Sequence, residues 1–254
     1  MGALSWPYWI VKRDSVEQVD GGVIAESTLS IYVNGQSLAT VLCSPFDQEA
    51  LALGLLFNEG IIRSYADVGL IKSNEHRTVV DVWLHTPDFE PPQRVIITTG
   101  CSGGITLQEL TVSYPPLETD FRTSTDVVFN RMHDLQTAAE LYHQVRGVHT
   151  ALLADRDQPL ISAEDVGRHN AVDKLMGKAL QQGISTHDRM ILTSGRISSE
   201  MVSKAWRMYI PLVISRTAPT SKALELADAW QMTIVGYVRQ GSMRIYTHPE
   251  RLIP

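Results

Sequence analysis

The second half of the chain alternates short apolar runs with longer segments in which apolar residues recur at helical spacing. The apolar runs predict strands at residues 148–154, 189–193, 212–215, 232–237 and, as an antiparallel edge, 243–247. The segments between them predict helices at residues 166–181, 199–208 and 220–230. Residues 190–192 are apolar at every position, which is typical of a strand buried on both faces. The alternation therefore predicts right-handed crossovers and a sheet with helices on both sides.

The first half has the pattern of a β-rich domain with one buried helix. Strands are predicted at residues 22–33, 37–42, 68–72, 78–84 and 95–99. Asn34 and Gly35 separate the first two, and this dipeptide favours the positive φ angles of a tight hairpin turn. The predicted helix has Ser44 as its cap and Pro45 at its first position. Its apolar body lies at residues 50–57.

A change of domain is predicted near residue 120. The Tyr-Pro-Pro-Leu segment at residues 114–117 interrupts the strand pattern, and the longest predicted helix follows at residues 124–146. We therefore predict a β-rich domain at residues 1–120 and an α/β domain at residues 121–254.

Composition narrows the classes of function. The chain has 254 residues, 44% of them hydrophobic, and a net charge of -6, which argues against a broad nucleic-acid surface. The longest apolar run, residues 50–57, is too short to span a membrane. The N-terminus lacks a secretory signal pattern, so we expect a cytoplasmic protein. Two cysteines, Cys43 and Cys101, are too few for a disulfide framework or a multi-thiolate zinc site, and we expect no tightly bound metal.

Cys101 lies in a glycine-rich loop, Gly-Cys-Ser-Gly-Gly at residues 100–104, directly after the predicted strand 95–99. Glycine permits positive φ angles and lets another molecule approach the sulfur closely. This placement favours a reactive thiol, although a small buried cysteine beside an ordinary turn is the alternative. Cys43 precedes the buried helix and is predicted to be a packing residue.

Residues 164–174 combine many polar groups with the start of a helix. Asp165, His169 and Asp173 are four residues apart, so either carboxylate is positioned to orient the histidine. Arg168 and His169 would oppose the positive end of the helix dipole, a conflict that a bound phosphate would resolve. The alternative interpretation is a cluster of surface ion pairs.

Donor groups recur where the predicted strands end. Thr193, Ser194, Gly195 and Arg196 follow one strand, Arg216 follows the next, and Arg239 with Gly241 follows the third. In open α/β sheets such ends share the edge where ligands bind, so a row of phosphate donors is predicted there, although helix caps use the same residue types. His149 begins a strand and is interpreted as structural. Serine-hydrolase, Walker and paired-glycine dinucleotide motifs are absent.

Four segments together, residues 100–104, 164–174, 193–205 and 235–252, resemble the formate dehydrogenase accessory sulfurtransferase (FdhD) family. The resemblance covers nearly the whole chain. It implies a cytoplasmic homodimer that takes sulfur from a cysteine desulfurase. The sulfur goes to a molybdenum or tungsten bis(molybdopterin guanine dinucleotide) cofactor, which is a bound substrate, before insertion into the formate dehydrogenase apoenzyme. It also implies a C-terminal α/β/α domain with a cytidine deaminase-like fold.

The resemblance assigns roles to individual positions. Cys101 matches the family's persulfide cysteine, while Gly104 stands where the family often has a second cysteine, which argues against a two-thiol relay. The family's cofactor-binding stretch corresponds to Tyr237, Val238, Arg239, Gln240, Gly241 and Ser242. Arg168, His169 and Arg196 are candidates for stabilising the thiolate, and Asp173 is a further supporting candidate.

Two other functions remain as alternatives. A non-catalytic chaperone that binds the nucleotide-bearing cofactor would work without the thiol. A zinc-dependent nucleobase deaminase is suggested by the implied fold alone, and the His-x-Glu and Cys-x-x-Cys ligands that it needs are missing from the sequence.

Overall fold

The computed structural model describes residues 2–91, 96–97, 105–106 and 114–252. These residues form a six-stranded sheet, a four-stranded sheet, two separate two-stranded sheets and several helices. The predicted mixed α/β class is confirmed. The cytidine deaminase-like arrangement and the domain boundary near residue 120 stay predictions.

The chain begins with a long antiparallel hairpin that the sequence pattern does not predict. Its strands are β1 (Ala3–Lys12) and β2 (Ser15–Ile24). Trp6 and Trp9 are each 62% exposed, so the hairpin lacks the alternation of buried and exposed residues by which a half-buried strand is recognised. The single strand predicted at residues 22–33 is therefore wrong, because β2 ends at Ile24 and a new strand begins at Ser27.

A four-stranded sheet follows in the order β4-β3-β6-β5. Its strands are β3 (Ser27–Val33), β4 (Gln36–Cys43), β5 (Val68–Ser73) and β6 (Val79–Leu84). Asn34 and Gly35 have φ angles of 51° and 76°, which confirms the predicted hairpin turn between β3 and β4. A short antiparallel pair comes next, β7 (Ile96–Ile97) and β8 (Ile105–Thr106).

The buried helix α1 (Gln48–Asn58) packs on this sheet but begins later than predicted. Asp47, with a φ of 54°, precedes its first turn, so the prediction that Ser44 caps the helix and Pro45 opens it is wrong. The Ser44 amide instead donates to Asp165 Oδ2 at 3.0 Å, and its hydroxyl accepts from the Val166 amide at 3.1 Å. Ser44 therefore connects β4 to the C-terminal half.

The six-stranded sheet has the order β10-β9-β11-β12-β13-β14. Its strands are β9 (His149–Ala154), β10 (Pro159–Asp165), β11 (Met190–Thr193), β12 (Leu212–Ser215), β13 (Thr233–Arg239) and β14 (Ser242–Ile245). β11, β12 and β13 are parallel, whereas β9, β10 and β14 join antiparallel. The sequence does not predict β10, because its last residues are the polar Glu164 and Asp165.

Helices cover both faces of this sheet and give it three layers. They are α2 (Thr125–Thr137), α3 (Glu140–Val145), α4 (Arg168–Gln182), α5 (Ser199–Arg207) and α6 (Ser221–Ala229). α2 packs on one face, and α4, α5 and α6 pack on the other. The single helix predicted at 124–146 is wrong: Ala139 is not helical, and the Glu164 carboxylate accepts the amides of Leu141 and Tyr142, which starts a separate helix α3.

The helices α1 and α4 join the two halves of the chain by a very close approach. A Cβ atom on Gly54 would overlap the carbonyl oxygen of Asp173, and one on Gly177 would overlap that of Ala50. Lys174, fully buried beside this contact, forms an ion pair with Asp165 at 2.7 Å. Glycine at these two positions is what lets the backbones meet.

Candidate functional site

A cavity of about 450 Å³ lies at the edge of the six-stranded sheet where β11, β12 and β13 end. Because β9 runs antiparallel to β11, the beginning of β9 lies at the same edge. We call it the strand-edge cavity. Its lining residues are Leu135, Gln136, Ala139, Tyr142, His143, Arg146, Val148, His149, Thr150, Ser194, Arg216, Thr217 and Arg239.

The strand-edge cavity is lined by cations in a chain whose net charge is -6. Arg146, Arg216 and Arg239 contribute three guanidinium groups, and none of its lining residues carries a carboxylate. Guanidinium groups form charge-assisted, bidentate hydrogen bonds with phosphates and carboxylates. The cavity is therefore suited to an anionic ligand.

A polar patch around Ser194 forms part of the cavity lining. The Ser194 hydroxyl accepts the Thr150 amide at 3.0 Å and lies 3.3 Å from His149 Nδ1. Burial, together with the nearby charge of Arg168, lowers the pKa of His149. His149 is therefore neutral at pH 7, and the positive charge of the cavity comes from its arginines.

The structure brings three of the predicted binding residues together in the strand-edge cavity: Ser194, Arg216 and Arg239. Thr193 and Gly195 are buried beside it, where the Gly195 amide donates to the Thr193 hydroxyl at 3.0 Å. That these residues bind a cofactor stays a prediction.

The remaining residues of the predicted stretch 237–242 flank the cavity without lining it. Val238 is fully buried in the sheet core. The guanidinium groups of Arg239 and Arg244 lie 5.6 and 4.2 Å from the centre of the Tyr237 ring. Gln240, Gly241 and Ser242 are exposed at the turn between β13 and β14.

The polar run at 164–174 is a buried network, which corrects both interpretations made from the sequence. Asp165 ends strand β10 and pairs with Lys174, and Asp173 pairs with Lys204 at 2.6 Å, so neither carboxylate orients His169. All of these side chains are buried, so the alternative of a surface ion-pair cluster is also wrong. The network lies between α1, α4 and α5 and contributes no residue to the strand-edge cavity.

His169 is held by α5 rather than by its own helix. Its Nε2 lies 3.1 Å from Ser198 Oγ and 3.4 Å from Glu200 Oε2. Burial, with the charges of Lys204 and Arg168, lowers the pKa of His169 to about 2. A neutral imidazole does not oppose the helix dipole, so His169 needs no bound phosphate at this helix start.

We expect the free energy of unfolding to depend on pH because the pKa of His169 is lowered in the folded state. The unfolded chain binds a proton on this residue below about pH 6.5, whereas the folded state does not until about pH 2, so the free energy of unfolding falls as pH falls. The slope is up to about 1.4 kcal/mol per pH unit. Urea unfolding between about pH 7 and about pH 5 measures it.

The replacement His169→Gln should flatten this slope, and His187→Gln is its control because the His187 side chain is 55% exposed. An unchanged slope in His169→Gln would contradict the assignment.

Cys101, Gly104 and the rest of the predicted loop at 100–104 lie outside the described residues. Of the three candidates for stabilising its thiolate, Arg168 and His169 are buried and Arg196 is exposed. Cys43 ends β4 and is fully buried. Burial, with the charge of Asp165, raises the pKa of Cys43 to about 11, so it is a protonated packing residue at pH 7.

Sequence reasoning missed Tyr142, Arg146 and Thr217 as lining residues. Thr217 directly follows Arg216 after β12, so the argument from strand ends could have predicted it. That argument could not have predicted Arg146 and Tyr142, because nothing in the sequence of residues 140–150 reveals that β9 is antiparallel to β11.

None of the helices in the described part of the chain is both long enough and apolar enough to cross a membrane. Among the described residues, no group of three or more histidine, cysteine, aspartate or glutamate side chains is placed to hold a metal ion.

Known proteins resemble this chain in sequence and in fold. The FdhD/NarQ family matches residues 24–253. The sulfur carrier protein FdhD of Bacillus subtilis (strain 168) is 33% identical, over 96% of this chain and 95% of the relative. The protein of the same name from Halalkalibacterium halodurans is 36% identical, over 91% and 88%.

A solved structure supports the same relationship. A crystal structure from Desulfotalea psychrophila, described as a candidate formate dehydrogenase accessory protein, superimposes with a TM-score of 0.86 at 26% identity and covers 100% of both chains. Sequence matches over nearly the whole length and a fold shared from end to end lead to one conclusion: the chain belongs to the FdhD/NarQ family.

Proposed function

We propose that this protein carries sulfur for the maturation of formate dehydrogenase. It accepts the sulfur from a cysteine desulfurase as a persulfide on Cys101. It then delivers the sulfur to a molybdenum or tungsten bis(molybdopterin guanine dinucleotide) cofactor, its substrate, before that cofactor enters the formate dehydrogenase apoenzyme. The observation that carries the proposal is that the chain belongs to the FdhD/NarQ family. Its relatives in this family are named sulfur carrier proteins, and they match it over nearly their whole length.

The state of Cys43 supports the choice of Cys101. The sequence contains these two cysteines and no others. Cys43 is fully buried and its pKa is raised to about 11, so it is neither accessible to a protein donor nor ionised at neutral pH. A sulfur that travels on a cysteine of this chain therefore travels on Cys101.

The proposed loading step is a thiol–persulfide exchange. The Cys101 thiolate attacks the outer sulfur of the desulfurase persulfide, and a new sulfur–sulfur bond forms as the donor's own sulfur–sulfur bond breaks. The donor cysteine leaves as a thiolate. The transferred sulfur keeps its own proton and becomes the outer SH group of the Cys101 persulfide. The exchange consumes no external oxidant or reductant. It is faster when the thiol of the donor cysteine, which is the leaving group, has a low pKa.

The strand-edge cavity supports the second half of the proposal. The guanine dinucleotide parts of the cofactor carry phosphates, and Arg216 and Arg239 face the same cavity from neighbouring strand ends. Arginine pairs bind phosphate through bidentate hydrogen bonds, with Ser194 and Thr217 as further donors. Residues of this kind fit the nucleotide end of the proposed substrate.

Incubation with a cysteine desulfurase and cysteine is expected to add the mass of one sulfur atom to the protein, and reductant should remove it. Cys101→Ala should abolish this addition entirely, because Cys43 is buried. Intact-protein mass spectrometry measures both states. The variant Cys43→Ala is the matched control and should load normally. Equal loading of Cys101→Ala would disprove the proposed carrier role.

The cavity also fits the alternative function of a cofactor-binding chaperone, since nucleotide binding needs no thiol. Formate dehydrogenase activity in cells that carry Cys101→Ser separates the two functions. Loss of activity favours the sulfur carrier, and retained activity favours the chaperone.

A further inference from the structure

The turn between β3 and β4 contains the single Asn-Gly pair of the sequence, Asn34 and Gly35. The side chain of an asparagine that precedes glycine can react with its own backbone, because glycine has no Cβ atom to hinder a close approach. Asn34 is half-buried and Gly35 is exposed, so water reaches the turn. The pair is therefore a candidate site of spontaneous deamidation.

Deamidation would join two atoms of the turn. The Gly35 amide nitrogen loses its proton to a base in the solvent and attacks the side-chain carbonyl carbon of Asn34. A carbon–nitrogen bond forms, the bond from that carbon to Nδ2 breaks, and the leaving nitrogen takes up a proton and departs as ammonia. Water then opens the cyclic imide to aspartate or isoaspartate, so water is the co-reactant that the step consumes.

The Asn34 side chain is bound to residues 84–89, which we call the docked segment. Its Oδ1 accepts the Leu84 amide at 2.8 Å, and its Nδ2 donates to the carbonyl oxygens of Thr86 at 3.0 Å and Pro87 at 3.2 Å. These bonds use the oxygen and both hydrogens of the carboxamide. They fix its orientation and hold the leaving nitrogen, so the carboxamide is free to turn toward Gly35 only after the docked segment moves away.

The attacking nitrogen is held as well. The Gly35 amide donates to Asp81 Oδ1 at 3.2 Å, and this carboxylate opposes loss of the amide proton because it opposes the negative charge that would result. Gln36 Nε2 donates to the Phe89 carbonyl at 2.9 Å, and the Phe89 ring packs against the core of the N-terminal half. Both reacting groups are therefore restrained while the docked segment stays in place.

We infer that Asn34 is a latent deamidation site that the docked segment protects. The reaction proceeds in molecules in which this segment has opened, so the opening equilibrium sets the rate in the folded protein. The product does not restore the contact, because a carboxylate at residue 34 has no hydrogen to donate to the carbonyls of Thr86 and Pro87. The inference concerns the N-terminal half and goes beyond the proposed function.

Peptide mapping by mass spectrometry tests the protection. The full chain is incubated in mildly alkaline buffer, folded or unfolded in urea, and the conversion of Asn34 to the acid is followed. It should be at least about tenfold slower in the folded protein. Asp81→Ala should speed it in the folded protein, because the Gly35 amide loses its acceptor. Equal rates in the folded and the unfolded parent protein would overturn the protection.

Hydrogen exchange tests the consequence with Asn34→Asp, which is the aspartate product itself. The Leu84 amide should exchange about tenfold faster in this variant, because the docked segment loses two hydrogen bonds. Asn74→Asp is the matched control: Asn74 Nδ2 donates to the Thr78 hydroxyl at 2.9 Å, and that hydroxyl can donate to the new carboxylate instead. Unchanged Leu84 exchange in Asn34→Asp, or equal acceleration in both variants, would contradict the inference.

Discussion

Gly54→Ala is expected to destabilise the protein by about 3 kcal/mol, because the new methyl group would overlap the backbone of α4. The overlapping atom is the carbonyl oxygen of Asp173, which cannot rotate away as the end of a side chain can. Glycine to alanine in a helix normally stabilises by about 1 kcal/mol, so the close approach of α1 and α4 reverses the sign. Gly177→Ala should behave alike, since its methyl group would overlap the Ala50 carbonyl.

Urea unfolding followed by tryptophan fluorescence measures the effect of Gly54→Ala. The control is Gly69→Ala in β5, where the new methyl group would meet the His85 ring at 3.2 Å and the stability should change little. A Gly54→Ala protein as stable as the parent would mean that α1 and α4 are farther apart than described.

Lys204→Met is expected to cost about 3–5 kcal/mol, because it leaves the Asp173 carboxylate buried without its cation. The Lys204 ammonium lies 2.7 and 2.6 Å from the two Asp173 oxygens, and both side chains are 3% exposed. Burial alone would lower the pKa of Lys204, but the charges of Asp173 and Glu200 outweigh it and the pKa is raised. The Lys204 ammonium is therefore charged when the protein is folded.

The double variant Lys204→Met with Asp173→Asn distinguishes a lost ion pair from lost packing. Removal of both charges should recover much of the stability that the single variant loses, because no unpaired charge stays buried. Equal losses in the single and double variants would show that the lysine acts through its hydrocarbon chain alone. Chemical denaturation of the three proteins in parallel supplies the comparison.

The contacts of Asp173 with Gly54 and Lys204 show which features of the polar run at 164–174 could be predicted from the sequence. The run is a local signal, and its helix was predicted to within two residues of α4, from Arg168 to Gln182. The partners of its charged groups come from other elements, since Asn58 lies on α1 and Lys204 on α5. Spacing along one helix could not reveal them, because burial brings together groups more than 30 residues apart.

What the sequence determined by itself are the features that depend on neighbouring residues. The fully apolar runs became β11 and β12, the Asn34-Gly35 pair became a hairpin turn, and the strand ends supplied Ser194, Arg216 and Arg239 to one edge. Parallel strands necessarily bring their carboxyl ends to the same edge, so this part of the site followed from strand order alone.

The tertiary structure alone decided that Tyr142 and Arg146 also line the strand-edge cavity. They reach it because β9 is antiparallel to β11, and because the Glu164 carboxylate accepts the amides of Leu141 and Tyr142 at the start of α3. Both facts depend on pairing between distant segments. Such pairing depends on how the whole chain packs its core, and no short window of sequence contains that information.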